Sequence, residues 1–329
     1  MKYILASLFL FSTAYAGVND DIYAYNYWGR EIIKDYAAEI YASPFNVLPD
    51  ASDTNKCMPV YNNAIKNGVM DIRYALGYFD DSQGIDIIWN GKNWGLSPSI
   101  EIGMFNSIRG KLSEPCKKRE QLNLCGFTES GDPSLGKVLL QKRITLLKNS
   151  VLVKIELTQA SASESFVANQ SSLKERQAFL TAQSEESYFG GIGKADIVIY
   201  NGHSRNGGGP DFNPPVLNKD LHVDYSGYYQ KKRIGISRVL KLIKASDKKD
   251  GILTFFSCYS KKHFYNDIML ANPKQKLVLS ADTINYFDSL KASMGYLEGF
   301  LRGACGQDLA DIAKQGEHIK SGFLGSQIQ

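Results

Sequence analysis

From Ile197 to Arg302, short and continuously apolar runs alternate with segments of helical length and amphipathic spacing. The apolar runs are Ile197 to Tyr200, Ile252 to Phe256 and Leu277 to Ser280, and the amphipathic segments are Tyr228 to Ala245, Lys261 to Ala271 and Tyr286 to Arg302. Runs this short suit strands buried on both faces and are too short for buried helices. A strand, helix, strand crossover sets its two strands parallel, so equivalent strand ends emerge on one edge. The pattern predicts an α/β layered domain built on a mostly parallel sheet.

Upstream of that alternation, Leu173 to Phe189 has the composition of a helix, with Gly190-Gly191 expected to end it. Val138 to Leu147 and Val151 to Leu157 alternate around Lys148-Asn149-Ser150, the pattern of a hairpin or of two strands entering a sheet. The stretch from Gly17 to Ser134 reads differently, being rich in Tyr, Trp, Asn, Gly and Asp. Helix is expected over Asp20 to Tyr41 and over part of Asn55 to Phe79, and strand over Ile85 to Trp89 and Ser99 to Met104. The chain therefore divides into a leader over residues 1–16, a smaller aromatic-rich N-terminal region over 17–134 and the α/β domain over 135–329. Tyr and Trp in the middle part serve either as amphipathic core filler or as a binding surface.

The leader has the parts of a secretory signal. Lys2 supplies the positive start, Tyr3 to Phe11 the apolar stretch, and Ala14-Tyr15-Ala16 the small-residue cleavage site before Gly17. Export to a periplasm or the cell exterior is expected, without stable membrane insertion, since no apolar run reaches spanning length. Five cysteines cannot all pair within one exported chain, so one is left over. Cys116 and Cys125 flank a short polar loop. If Cys258 is the free thiol, Cys57 and Cys305 remain as the second pair, though four cysteines permit other connectivities. A net charge of +4, with Lys and Arg scattered, gives no reason to expect a nucleic-acid partner. Cys258 and His263 form the one His/Cys pair at ligand spacing, half of a zinc site, so neither metal nor cofactor is expected.

Chemistry concentrates at two strand ends. The run at Ile197 stops at Asn201-Gly202, and His203 follows on a loop kept free of bulk by Gly207-Gly208-Gly209-Pro210. The run at Ile252 stops at Ser257-Cys258. With the two strands parallel, His203 and Cys258 leave the same edge, where ligands of open α/β sheets bind. A thiol next to an imidazole is an activated nucleophile. Cys258 would attack a carbonyl, the backbone N–H groups of Ser204 and Cys258 would hold the oxyanion, and protonated His203 would release the amine.

Ile197-Val198-Ile199-Tyr200-Asn201-Gly202-His203-Ser204 resembles the apolar strand and Gly-His-Gly of metacaspases and other caspase-like (clan CD) cysteine peptidases. Phe255-Phe256-Ser257-Cys258 is similar to the strand ending in their catalytic cysteine. The 55 residues between His203 and Cys258 are close to the caspase interval of about 50. The resemblance spans roughly Val151 to Gly303. It implies a caspase–hemoglobinase fold, a dyad at His203 and Cys258, and an endopeptidase selective for one residue before the scissile bond of a protein or peptide substrate. Two departures stand out: Ser204 replaces the glycine after the histidine, and Phe256-Ser257-Cys258-Tyr259-Ser260 replaces the caspase Gln-Ala-Cys-Arg-Gly. Arg205, Asp211 and Asp282, with Asp224 nearby in sequence, are the candidate substrate-reading charges. The alternative to an exported peptidase is a non-enzymatic binding or surface-interaction protein on the same scaffold.

Overall fold

The computed structural model describes residues 34–41, 54–79, 88–89, 92–93, 100–117, 123–163, 166–220, 222–226, 228, 234–248, 250–314 and 323–326. The expected leader, most of the helix expected from Asp20 and the first turns of the segment expected from Tyr228, residues 229–233, lie outside these residues. Eight strands form one sheet: β1 Val69–Leu76, β2 Thr128–Ser130, β3 Lys137–Leu146, β4 Asn149–Gln159, β5 Ile197–Asn201, β6 Ile252–Phe256, β7 Lys276–Ser280 and β8 Phe323–Ser326. Their spatial order is β8-β7-β6-β5-β1-β4-β3-β2. β4, β1, β5, β6 and β7 are parallel neighbours, while β2, β3 and β8 add antiparallel margins. The protein is thus α/β with a mostly parallel sheet.

Among the described residues, the longer helices packed on this sheet are α1 Thr54–Asn67, α2 Glu101–Ser113, α3 Lys174–Gly191, α4 Ile234–Ala245, α5 Ser260–Ala271, α6 Tyr286–Leu301 and α7 Gly306–Lys314. They divide between its faces according to strand alternation. Ile72, Tyr74, Ile197, Ile199 and Phe256 pack with α1, α2, α6 and α7, whereas Val198, Tyr200, Leu253, Phe255 and Leu277 pack with α3, α4 and α5. Every residue of β5 and β6 is buried, which is why these strands read as unbroken apolar runs. Each fully buried Ile, Leu or Phe among them contributes roughly 1.5 to 3 kcal/mol.

The boundary expected at residue 134 does not divide the sheet. β1 comes from the stretch assigned to the N-terminal region, yet it pairs with β4 on one side and β5 on the other. The Cys57–Cys305 disulfide and the bond from the Tyr61 hydroxyl to the Ala304 carbonyl, 2.5 Å, tie α1 to the turn after α6. Cys116 and Cys125 form the other disulfide, and Cys258 is a free thiol.

Two local expectations need correcting. Over its described residues, 100–104, the strand expected from Ser99 to Met104 opens α2 instead: Ile100, Ile102 and Met104 alternate, but Ile102, Phe105, Ile108 and Leu112 continue the burial at helical spacing. α3 ends on Gly190-Gly191 as expected, and Gly191 lets the helix approach the sheet. A Cβ there would lie 2.7 Å from Cγ of Arg73. The β3–β4 hairpin turns at Leu147-Lys148 rather than at 148–150, with both residues at positive φ, 44° and 69°, as a tight two-residue turn requires.

Candidate active site

The order of the parallel strands reverses direction at the β1/β5 boundary, so the chain departs to opposite sides and leaves a crevice beyond the strand ends. Two glycines let those ends converge. Gly77 donates its N–H to the Asn201 carbonyl, 2.8 Å. A Cβ at either Gly77 or Gly202 would lie 2.6 Å from the Tyr200 hydroxyl. That hydroxyl donates to the His203 carbonyl, 2.9 Å, and accepts the Asp211 N–H, 3.1 Å. The loop carrying His203 is thereby fixed to the strand that precedes it.

The His203 ring packs against both Phe79 and Tyr286, with centroids 5.9 Å and 6.3 Å away. Its Nε2 is 2.8 Å from the Phe79 carbonyl oxygen. A carbonyl can only accept, so this contact assigns the proton to Nε2 and leaves Nδ1 as the basic nitrogen of the neutral ring. Beneath it, buried Asn201 donates to Ser293 Oγ, 3.1 Å, and to the Ser289 carbonyl, 3.3 Å. The Ser289 hydroxyl donates back to Asn201 Oδ1, and this network locks α6 under the strand end.

Cys258 stands in the equivalent place on the next strand. Asn201 and Phe256 are register partners, so His203 and Cys258 each lie two residues beyond a paired position. The half-buried thiol directs its S–H at the Ile284 carbonyl, 3.6 Å. Tyr259, immediately after it, has φ +50° and caps α5, an uncommon backbone for an aromatic residue. The Asp282 carbonyl secures that turn by accepting the Tyr259 N–H, 2.9 Å. Cys258 thus sits just ahead of a helix N-terminus. The segment before α6 walls both groups, with Ile284 against the thiol and Tyr286 against the imidazole.

The remaining expected residues separate. Ser204 is buried with φ −71° and ψ −12°, an ordinary helical backbone, so serine in place of glycine costs no strain. Among the described residues, no hydrogen bond uses the backbone N–H of Ser204 or of Cys258. Asp282 is exposed at the rim beside Tyr259, and its carboxyl is held below the usual range by the Thr283 N–H and the Tyr259 hydroxyl.

Arg205 is not available to read a substrate: its side chain is only 1% exposed. It spans Asp211 Oδ2, 3.3 Å, and the Tyr78 carbonyl, 3.1 Å, as an internal strut of the loop. Asp211 is committed to Arg205 and to the Tyr228 hydroxyl, 2.8 Å. With Asp224 it lines a different groove of about 740 Å³, between α3 and the segment 211–216. Sequence reasoning missed Phe79, Ile284 and Tyr286. A backbone carbonyl leaves no mark in side-chain identity, and Tyr286 was visible only as the first residue of a helix.

Among the described residues, no group of three or more His, Cys, Asp or Glu is placed to hold a metal, and no helix is long and apolar enough to cross a membrane. Comparison with family models, characterised proteins and solved structures found no match.

Proposed function

We propose that this protein is an exported cysteine endopeptidase of caspase-like architecture. One observation carries this reading: a free thiol and an oriented imidazole leave equivalent ends of adjacent parallel strands, and the imidazole's strand borders the sheet's topological switch point. The first and third of the five parallel strands in chain order border that crevice, and the fourth, which carries Cys258, lies next to the third. In the proposed reaction, Nδ1 of His203 takes the Cys258 proton and the thiolate attacks the peptide carbonyl carbon. The N–H groups of Ser204 and Cys258 hold the oxyanion. The C–N bond then breaks as the imidazolium passes its proton to the leaving amine, and His203 next activates water to hydrolyse the thioester. Two disulfides support an oxidising compartment, in keeping with the leader.

Incubating the full chain with a peptide library tests this reading. Cys258→Ala and His203→Ala should each lower cleavage by about a hundredfold or more while leaving the melting temperature near wild type. Undiminished cleavage in either variant removes the mechanism. A binding role is favoured by one separate observation: the groove lined by Asp211, Asp224 and Tyr228 includes neither His203 nor Cys258. A library that yields stoichiometric binders there, and no cleavage, would support that role instead.

A further inference from the structure

The Tyr78–Phe79 peptide unit lies between two buried charges of opposite sign. Its N–H points to Glu101 Oε2, 3.4 Å, and its carbonyl accepts from Arg205 Nη2, 3.1 Å. Glu101 opens α2 and has no exposed surface, and Arg205 is 2% exposed. The next carbonyl along the chain, that of Phe79, is the acceptor for His203 Nε2. The peptide dipole runs with the field of the pair, its positive N–H end toward the carboxylate and its negative carbonyl end toward the guanidinium.

Each charge has its own support. Asp211 accompanies Arg205, and the Ser161 hydroxyl donates to Glu101 Oε1. Among the described residues, the groups facing Glu101 are this hydroxyl, the Phe79 N–H and the N–H groups at the start of its own helix, with no charged side chain. An ionised carboxylate in such a place costs stability, and an apolar residue would fill it at lower cost. Its presence therefore needs a role other than packing.

We propose that Glu101 and Arg205 are positioning residues, a charged clamp on the Tyr78–Phe79 peptide that holds the Phe79 carbonyl where it aims His203 at Cys258. This rests on the thiol and imidazole acting as a pair. The clamp loosens when Glu101 is neutral, so its effect on His203 depends on pH. Burial raises the Glu101 carboxyl to about 7, which places the change near neutrality.

The test is the rate at which iodoacetamide alkylates Cys258 in the full chain, at about pH 5.5 and about pH 8. Wild type, His203→Ala, Glu101→Gln and Arg205→Lys are compared. Glu101→Gln keeps the shape and an acceptor oxygen while fixing the neutral state. Its rate should match wild type at the lower pH and be roughly threefold to tenfold slower at the higher one. Arg205→Lys keeps the charge but loses the fork, and should be slower at both. If it fails to fold, Glu101→Gln carries the test alone. A wild-type to Glu101→Gln ratio that is the same at both pH values, with His203→Ala slow, overturns the clamp and leaves the pair standing. Equal rates in His203→Ala and wild type remove the pair, and the clamp with it.

Discussion

His203 Nε2 lies 2.8 Å from the carbonyl oxygen of Phe79, a residue 124 positions earlier in the chain. This contact fixes which imidazole nitrogen is basic and joins the end of β1 to the loop after β5. Nothing in the side chain of Phe79 is needed for it. The requirement falls on the backbone path from Leu76 to Phe79, and hence on the residues that shape this path.

Gly77 is the first of them. Its Cα approaches the Tyr200 ring so closely that a methyl group would lie 2.6 Å from the hydroxyl and 2.8 Å from the Asp211 carbonyl. Gly77→Ala must push β1 away from the His203 loop, and it should destabilise the fold by about 1 to 3 kcal/mol. Chemical denaturation measures that loss. Alkylation of Cys258 in the fraction that remains folded should also slow, because His203 shifts with its loop.

Glu101 gives stability a pH dependence of definite sign. Burial raises its carboxyl from 4.5 to about 7, so the folded protein binds this proton more tightly than the unfolded chain. Below about pH 4.5 both states hold the proton and no penalty arises. As pH climbs from there to about 7, stability falls by about 3 kcal/mol, and above that the loss is complete. Glu101→Gln should abolish this slope and be more stable than wild type near pH 8. Denaturation curves at acid and alkaline pH check it, and parallel pH profiles for the two proteins would show that Glu101 is not a buried acid.

Asp282 faces solvent at the rim next to Cys258, and its carboxyl stays ionised to lower pH than usual because the Thr283 N–H and Tyr259 hydroxyl bond to it. If Cys258 is the nucleophile as proposed, this negative charge favours substrates that bring a positive side chain. Asp282→Asn should raise KM for Lys- or Arg-containing peptides by about fivefold, with kcat little changed. A library profile that does not move on substitution would exclude Asp282 as a specificity residue.

Much of the α/β part is legible in the sequence because β5, β6 and β7 are apolar on both faces and punctuated by helices. His203 and Cys258 are legible for the same reason, each terminating such a run. β1 is not. Val69-Met70-Asp71-Ile72-Arg73-Tyr74 carries two charges, which are satisfied in the fold by Arg73 bonding Asp71, 2.9 Å, and Glu156, 2.9 Å, so a central strand reads as a polar segment. Arg205 and Asp211 are charged loop residues in sequence, and only the three-dimensional structure shows them turned inward on each other. Phe79 was hidden more completely, since its contribution comes from its main chain.

The alkylation rate of Cys258 at about pH 6, in wild type and in His203→Ala, tests the central claim most directly. If His203, oriented by the Phe79 carbonyl, activates the thiol as proposed, the wild-type rate is larger by about tenfold or more. Equal rates in the two proteins would contradict the account, since Cys258 would then be an isolated thiol at the end of a strand.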